Sequence, residues 1–246
     1  MTLKPAEALV LVAISLVGLI ALAPLGRGAF GVAAIEILVV LGPTLWVWQV
    51  RKLSLGLDVL ELRALVGGVL VGAGAAYLMV VIEEYLLGRV FPVPEHVKES
   101  LRRLIVPASG LRPLPVALIC FALVPALAEE ALFRGAVLPA FVARFRPSGA
   151  NLIAAILFGA FHLSIYKMVP ATLLGLAIGA VRLRTRSLWP AIAFHVTNNT
   201  LVVLALRHGV ESPPPPATMA GIGLIAAASI LAASGWLLSA FAPQRS

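Results

Sequence analysis

The sequence predicts an all-α, polytopic membrane protein: a bundle of about eight transmembrane helices enclosing an intramembrane polar cavity. Of 246 residues, 61% are hydrophobic and only 12% charged, with a mean hydropathy of +1.02, too much apolar chain for one soluble core beneath a polar surface. Apolar windows recur at the length that crosses a bilayer, about 20 helical residues for roughly 30 Å of hydrocarbon. Their apolar residues run round every face instead of alternating, and backbone satisfaction in lipid leaves helices or closed barrels, so the windows read as helices.

In chain order the windows are residues 6–24, 30–50, 64–88, 114–141, 149–166, 168–183, 188–206 and 217–241. The first has a rival reading as a cleavable signal peptide, because Lys4, an apolar run and Ala21-Leu22-Ala23 follow one another. The second carries Glu36, which either faces the cavity or sits near the outer boundary. Gly68/Gly72 in the third and Gly175/Gly179 in the sixth have the Gly-x-x-x-Gly spacing that lets helix backbones approach. Glu83 and Glu84 fall near the end of the third window, where interfacial solvation explains them.

Between the third and fourth windows, "EHVKESLRRLI" places Val97, Leu101, Leu104 and Ile105 on one helical face and its charges elsewhere, the pattern of a helix lying on the membrane surface. The run "ESPPPP" ends in a polyproline connector at 213–216, before the eighth window. Trp46, Trp48, Trp189 and Trp236 fall near window ends, as interfacial anchors do. Otherwise the chain reads as a single membrane domain, 1–246, in which residues 114–206 form the functional core.

The net charge of +8 suits contact with anionic lipid heads. It does not indicate nucleic acid, since the aromatics are scattered through apolar segments rather than interleaved with a basic patch. With a cytoplasmic amino terminus, Lys4, Arg51, Lys52, Arg63, Arg144, Arg146, Arg182, Arg184, Arg186 and Arg245 fall inside and Arg27, Lys167 and Arg207 outside, together with Arg89, Lys98, Arg102, Arg103 and Arg112 of the longer third loop, so the positive-inside bias depends on discounting that loop. The lone cysteine, Cys120, excludes a disulfide framework or a cysteine metal cluster.

Polar chemistry collects in the functional core. "AEEALFRG" sets Glu129, Glu130 and Arg134 inside an apolar window. On a helix Glu130 and Arg134 stand four apart and can pair, while Glu129 projects about 100° away, so the two carboxylates have different tasks. His162 lies in "FGAFHL", and His195 and Asn199 share a helix face in "FHVTNN". Counted at about 1.5 Å per residue from a common membrane face, Glu129 lies roughly 22 Å deep, His162 20 Å, Asn199 17 Å and His195 10 Å. Three helices can thus bring an acid, two imidazoles and an amide to comparable depth.

Such a set suits a polar lock between helices, passage of a proton or ion, or hydrolysis by activated water. Paired aspartates are ruled out, because Asp58 is the only aspartate, and no Gly-x-Ser-Gly stretch is present. A serine mechanism stays open only through Ser164 beside His162. Zinc could take Glu129, His162 and His195 as three ligands with water as the fourth, although the helical His-Glu-x-x-His pair is missing.

The order Glu129-Glu130-x-x-x-Arg134, Phe158-x-x-x-His162 and His195-x-x-x-Asn199 on successive windows resembles the CPBP family, the CAAX protease and bacteriocin-processing (Abi-type) intramembrane proteases. The resemblance covers residues 114–206 and implies an eight-helix bundle in the cytoplasmic membrane of a prokaryote, cutting a membrane-associated protein or peptide. It implies that Glu129, assisted by His162, activates water, that His195 and Asn199 stabilise the oxyanion, and that Glu130 and Arg134 position the helix. The family is classed with metalloproteases, and a metal-free glutamate mechanism is argued for it as well. The competing class is a non-enzymatic membrane protein, a proton-coupled transporter or a bacteriocin immunity factor.

Overall fold

A computed structural model describes residues 1–58, 60–83, 88–90, 92–107, 113–208 and 217–239. The polyproline connector and Glu84 lie outside the described residues, as do the side chains of Leu101 and Trp236. Helix α1 (Pro5–Leu22) starts on a proline, whose absent N–H would have been unpaired in a first turn, and the Lys4 backbone amide donates to Glu7 Oε2 at 2.8 Å. Helix α2 (Gly28–Arg51) passes through a π-helical turn at Ile37–Leu41 just before Pro43, and there the Thr44 hydroxyl donates to the Val40 carbonyl at 2.7 Å.

Helix α3 (Leu62–Ile82) is followed by α4 (Glu95–Ile105), α5 (Leu114–Val142), α6 (Pro147–Phe161), α7 (Ile165–Thr185), α8 (Trp189–Arg207) and α9 (Ala217–Ser239). No strand occurs among the described residues. Six helices, α1, α2, α3, α5, α7 and α8, are long and apolar enough to cross a bilayer. The protein is therefore a multi-pass helical membrane protein.

Two of the eight expected spans are shorter: α6, and the apolar stretch Gly223–Gly235 within α9. At 15 residues α6 is about 22 Å long against roughly 30 Å of hydrocarbon. The window expected to continue to residue 166 stops at Phe161, because Leu163 turns left-handed at φ +51° and Ser164 is extended. The sixth window, read as short, is a full 21-residue helix with Pro170 inside it.

Helix α4 fits the surface-helix expectation in its polar face: Lys98 pairs with Glu95 and Arg103 with Glu99, all exposed. The Arg103 hydrogen bond, 2.8 Å long, holds the Glu99 carboxyl below the usual carboxylate range. From the other face Ile105 buries itself against Ala117 of α5 and Val203 of α8.

Two cores meet at the centre. One unites α1, α2, α5 and α6 around Leu132, Phe133, Val137 and Phe158, and the other unites α3, α7 and α8 around Ile178, Ala191 and Phe194. Both Gly-x-x-x-Gly pairs lie in close helix seams. A Cβ on Gly68 or Gly72 would stand 2.3 Å from the Pro190 carbonyl oxygen or 2.5 Å from that of Phe194, so only glycine admits α8 at this separation. On α7, a Cβ at Gly179 would stand 1.8 Å from Asn151 Oδ1, while Asn151 Nδ2 donates to the Leu176 carbonyl at 2.9 Å.

Candidate active site

Helix α5 carries the acids across the boundary between the two cores. It is π-helical at Ile119–Leu123 and again at Ala131–Val137, each turn lying just before a proline, Pro125 or Pro139, that removes a backbone donor. The second π turn begins directly after Glu130 and contains Arg134. Every residue from Ala128 to Ala140 except Pro139 is buried, so this stretch is enclosed by protein on all faces.

Enclosure obliges the charged groups to satisfy one another. Glu130 Oε1 accepts from Arg134 Nη1 at 2.9 Å and from His195 Nδ1 at 2.8 Å. Arg134 Nη2 donates to the Gly175 carbonyl at 3.0 Å, and its guanidinium lies 4.4 Å from the centre of the Phe158 ring. Phe158 is also the common neighbour of both imidazoles, edge-on to His162 at 5.0 Å and to His195 at 5.8 Å between ring centres. Phe133 buttresses it edge-on at 5.2 Å.

The two acids differ as their spacing predicts. Glu130 is fully buried and anchored through Oε1, its Oε2 making no hydrogen bond, whereas Glu129 makes no ion pair with Arg134 and its Oε2, also without a hydrogen bond, lies 4.0 Å from His195 Nε2. That separation is too long for a hydrogen bond. Because the Glu130 carboxylate is held by Arg134 as an acceptor, His195 donates to it through Nδ1, which leaves Nε2 directed toward Glu129.

His162 stands half-buried at the open end of α6. Its Nδ1 donates to the Phe158 carbonyl at 2.9 Å, since a carbonyl can only accept, so Nε2 is the free nitrogen. Neither carboxylate comes within ion-pair distance of it; Phe158 links it to the cluster. Asn199, half-buried one turn beyond His195, accepts from Asn198 Nδ2 at 3.2 Å and makes no hydrogen bond to either acid.

The depth count placed Asn199 nearer to Glu129 than His195, and the structure reverses them. Wider π turns break the 1.5 Å rise assumed for α5, and helices that cross do not share one depth axis. Sequence reasoning also missed the contact between Glu130 and His195 and the role of the Gly175 carbonyl. For Phe158 it saw a motif letter without its contacts.

A third carboxyl group belongs to this region. Glu36 is half-buried, with Oε2 closed off from any hydrogen-bond partner, on the part of α2 that packs against Val124–Glu130. Ser164 makes no hydrogen bond to His162, so the structure supplies no activated serine.

The expected zinc set does not assemble in this arrangement. Among the described residues no three histidine, cysteine, aspartate or glutamate side chains converge as metal ligands: Glu129 and His195 come together while His162 stands apart.

Fold and cluster define a class: a polytopic helical membrane protein with a buried acid–imidazole centre. Residues 111–201 match the family model described as Type II CAAX prenyl endopeptidase Rce1-like. That segment contains the three motifs by which the chain resembles the CPBP family. It is similar to the Bacillus subtilis (strain 168) protein named "Putative membrane peptidase YdiL", 27% identical over 102 residues that make up 42% of this chain and 42% of that relative. The match thus spans less than half the length of the relative. No solved structure matches the chain.

Proposed function

We propose that this protein is an intramembrane endopeptidase that hydrolyses a peptide bond of a membrane-associated protein or peptide with activated water. The observation that carries the reading is the unpartnered Glu129 oxygen facing His195 Nε2 at 4.0 Å within the membrane-spanning helices. Glu129, assisted by the free Nε2 of His162, takes a proton from water as the water oxygen bonds to the substrate carbonyl carbon. His195 Nε2 and the Asn199 amide donate to the resulting oxyanion. The proton then passes to the leaving amine as the carbon–nitrogen bond breaks.

Glu130 and Arg134 act on His195 rather than on the substrate. An imidazole that donates from Nδ1 to Glu130 and from Nε2 to an oxyanion is cationic. With Glu129, Glu130 and Arg134 it forms a set of two negative and two positive charges, neutral as a whole and tolerable in a dry interior. Substrates compatible with such a site include prenylated carboxyl termini, leader peptides and the sorting tails of surface proteins.

Glu129→Gln preserves size and hydrogen bonding while removing the base. Purified variant protein is expected to lose roughly 10²- to 10⁴-fold in cleavage of a peptide identified by comparing membrane peptidomes with and without the protein. Cleavage at the native rate refutes the reading and favours a transporter or immunity factor. Chelator treatment with elemental analysis addresses the metal: loss of activity together with bound metal would replace the side-chain route by a zinc route in which Glu129 and His195 are ligands.

A further inference from the structure

The hydrolytic reading leaves one half-buried acid, Glu36, without a task. Glu36 belongs to α2, outside the segment that matches the family. It ends the α-helical portion Gly28–Glu36, and the π turn Ile37–Leu41 begins at the next residue. Both pieces pack on Val124–Glu130, the piece of α5 that ends in the two acids. The Glu36 carboxyl comes within electrostatic range of Glu129, and its Oε2 is closed off without a hydrogen-bond donor. The other charged groups of this centre are Glu130 and Arg134 on α5 and His195 on α8, which pair through Glu130 Oε1, while Glu130 Oε2 makes no hydrogen bond.

Nothing in the packing of α2 calls for an acid here. Its neighbours on the same helix, Ala33, Ala34, Ile35 and Ile37, are apolar, and an apolar side chain of similar volume would avoid burying a lone carboxyl group. A residue unfavourable for folding on a segment packed against the candidate base is a mark of function.

We infer that Glu36 is a positioning residue of the active site, a second carboxyl group from α2 that orients the Glu129 carboxylate toward His195. The inference rests on the hydrolytic reading of Glu129. It extends the working site into the amino-terminal helices, where no motif marks it. A positioning group acts on the reacting geometry and not on substrate capture, so its removal lowers kcat with little change in KM.

The test uses full-length protein in detergent micelles or vesicles, with cleavage kinetics and thermal unfolding measured on Glu36→Leu, Glu36→Gln and Glu129→Gln. Glu36→Leu is expected to lower kcat about 100-fold, hold KM within about twofold and raise the unfolding temperature. Glu36→Gln, which keeps a polar group of the same size beside Glu129, is expected to recover part of that loss, to about tenfold below native. Native kcat in Glu36→Leu with an inactive Glu129→Gln overturns this inference alone. A parallel fall of kcat and unfolding temperature in both Glu36 variants overturns it in favour of a purely structural residue. Activity in Glu129→Gln brings down the hydrolytic reading beneath it.

Discussion

The two histidines of the candidate site occupy opposite kinds of surroundings. His195 sits mid-helix on α8, 3% exposed, with Nδ1 fixed by Glu130, which is in turn fixed by Arg134 and, through it, the Gly175 carbonyl. Behind it the glycine seam of α3 holds the α8 backbone close. His162 stands where α6 stops, half-buried, with one hydrogen bond to its own helix and a left-handed residue next in the chain. One imidazole is held by tertiary contacts that cross three helices. The other is held locally, on a helix end that can adjust. A cluster built this way fixes the His195 imidazole from several helices and leaves the His162 imidazole held from its own helix alone.

The contrast is broken most strongly at its anchor. Arg134→Ala would strand Glu130 in the interior with His195 as its one remaining partner, and we expect a loss of about 3–5 kcal/mol in stability. Reversible unfolding of the detergent-solubilised variant measures it, and a loss below about 1 kcal/mol would show that Glu130 and Arg134 do not act as a buried pair.

The histidines themselves sharpen the contrast. Both His195→Ala and His162→Ala are expected to abolish most cleavage, but only the former should be costly to folding. His195→Ala removes a charge-assisted bond in the closed cluster, worth about 1.5–3 kcal/mol, whereas His162→Ala removes a single bond at a helix end, worth about 0.5–1.5 kcal/mol. Equal unfolding temperatures for the two variants would erase the distinction drawn here.

The smallest expected effect lies beside His162. Leu163 is 58% exposed and adopts φ +51°, a conformation that disfavours a side chain by about 1–2 kcal/mol. Leu163→Gly relieves that strain and should stabilise the protein by under about 1 kcal/mol while loosening the turn, so that KM rises more than kcat falls. A destabilised Leu163→Gly would mean that the leucine side chain, not the backbone turn, is what matters.

Much of this was legible in the sequence because it follows from local spacing. Charge scarcity and window length give the membrane-spanning helices, the four-residue interval gives the pairing of Glu130 with Arg134, and the same interval places His195 and Asn199 on one face. The two Gly-x-x-x-Gly pairs, weak as signals in a chain with 21 glycines, mark real close approaches. What stayed hidden depends on how helices cross. That His195 rather than Asn199 meets the acids is a matter of helix crossing and of π turns no periodicity announces. The early end of α6 comes from a left-handed leucine, a conformation that composition does not signal. Glu36 was visible as an odd charge, but only the packing of α2 on α5 gives it a neighbour.

The glycine seam between α3 and α8 bears on how this protein can be taken apart. The segment with all three motifs begins after α3, yet its last helix carries carbonyl oxygens at Pro190 and Phe194 fitted against Gly68 and Gly72. Grafting that segment onto foreign helices would therefore transplant all three motifs and leave behind the cradle on which His195 is registered. A chimera would need the recipient's own bare stripe of backbone at the same height, and a single methyl group there would push the graft out of line.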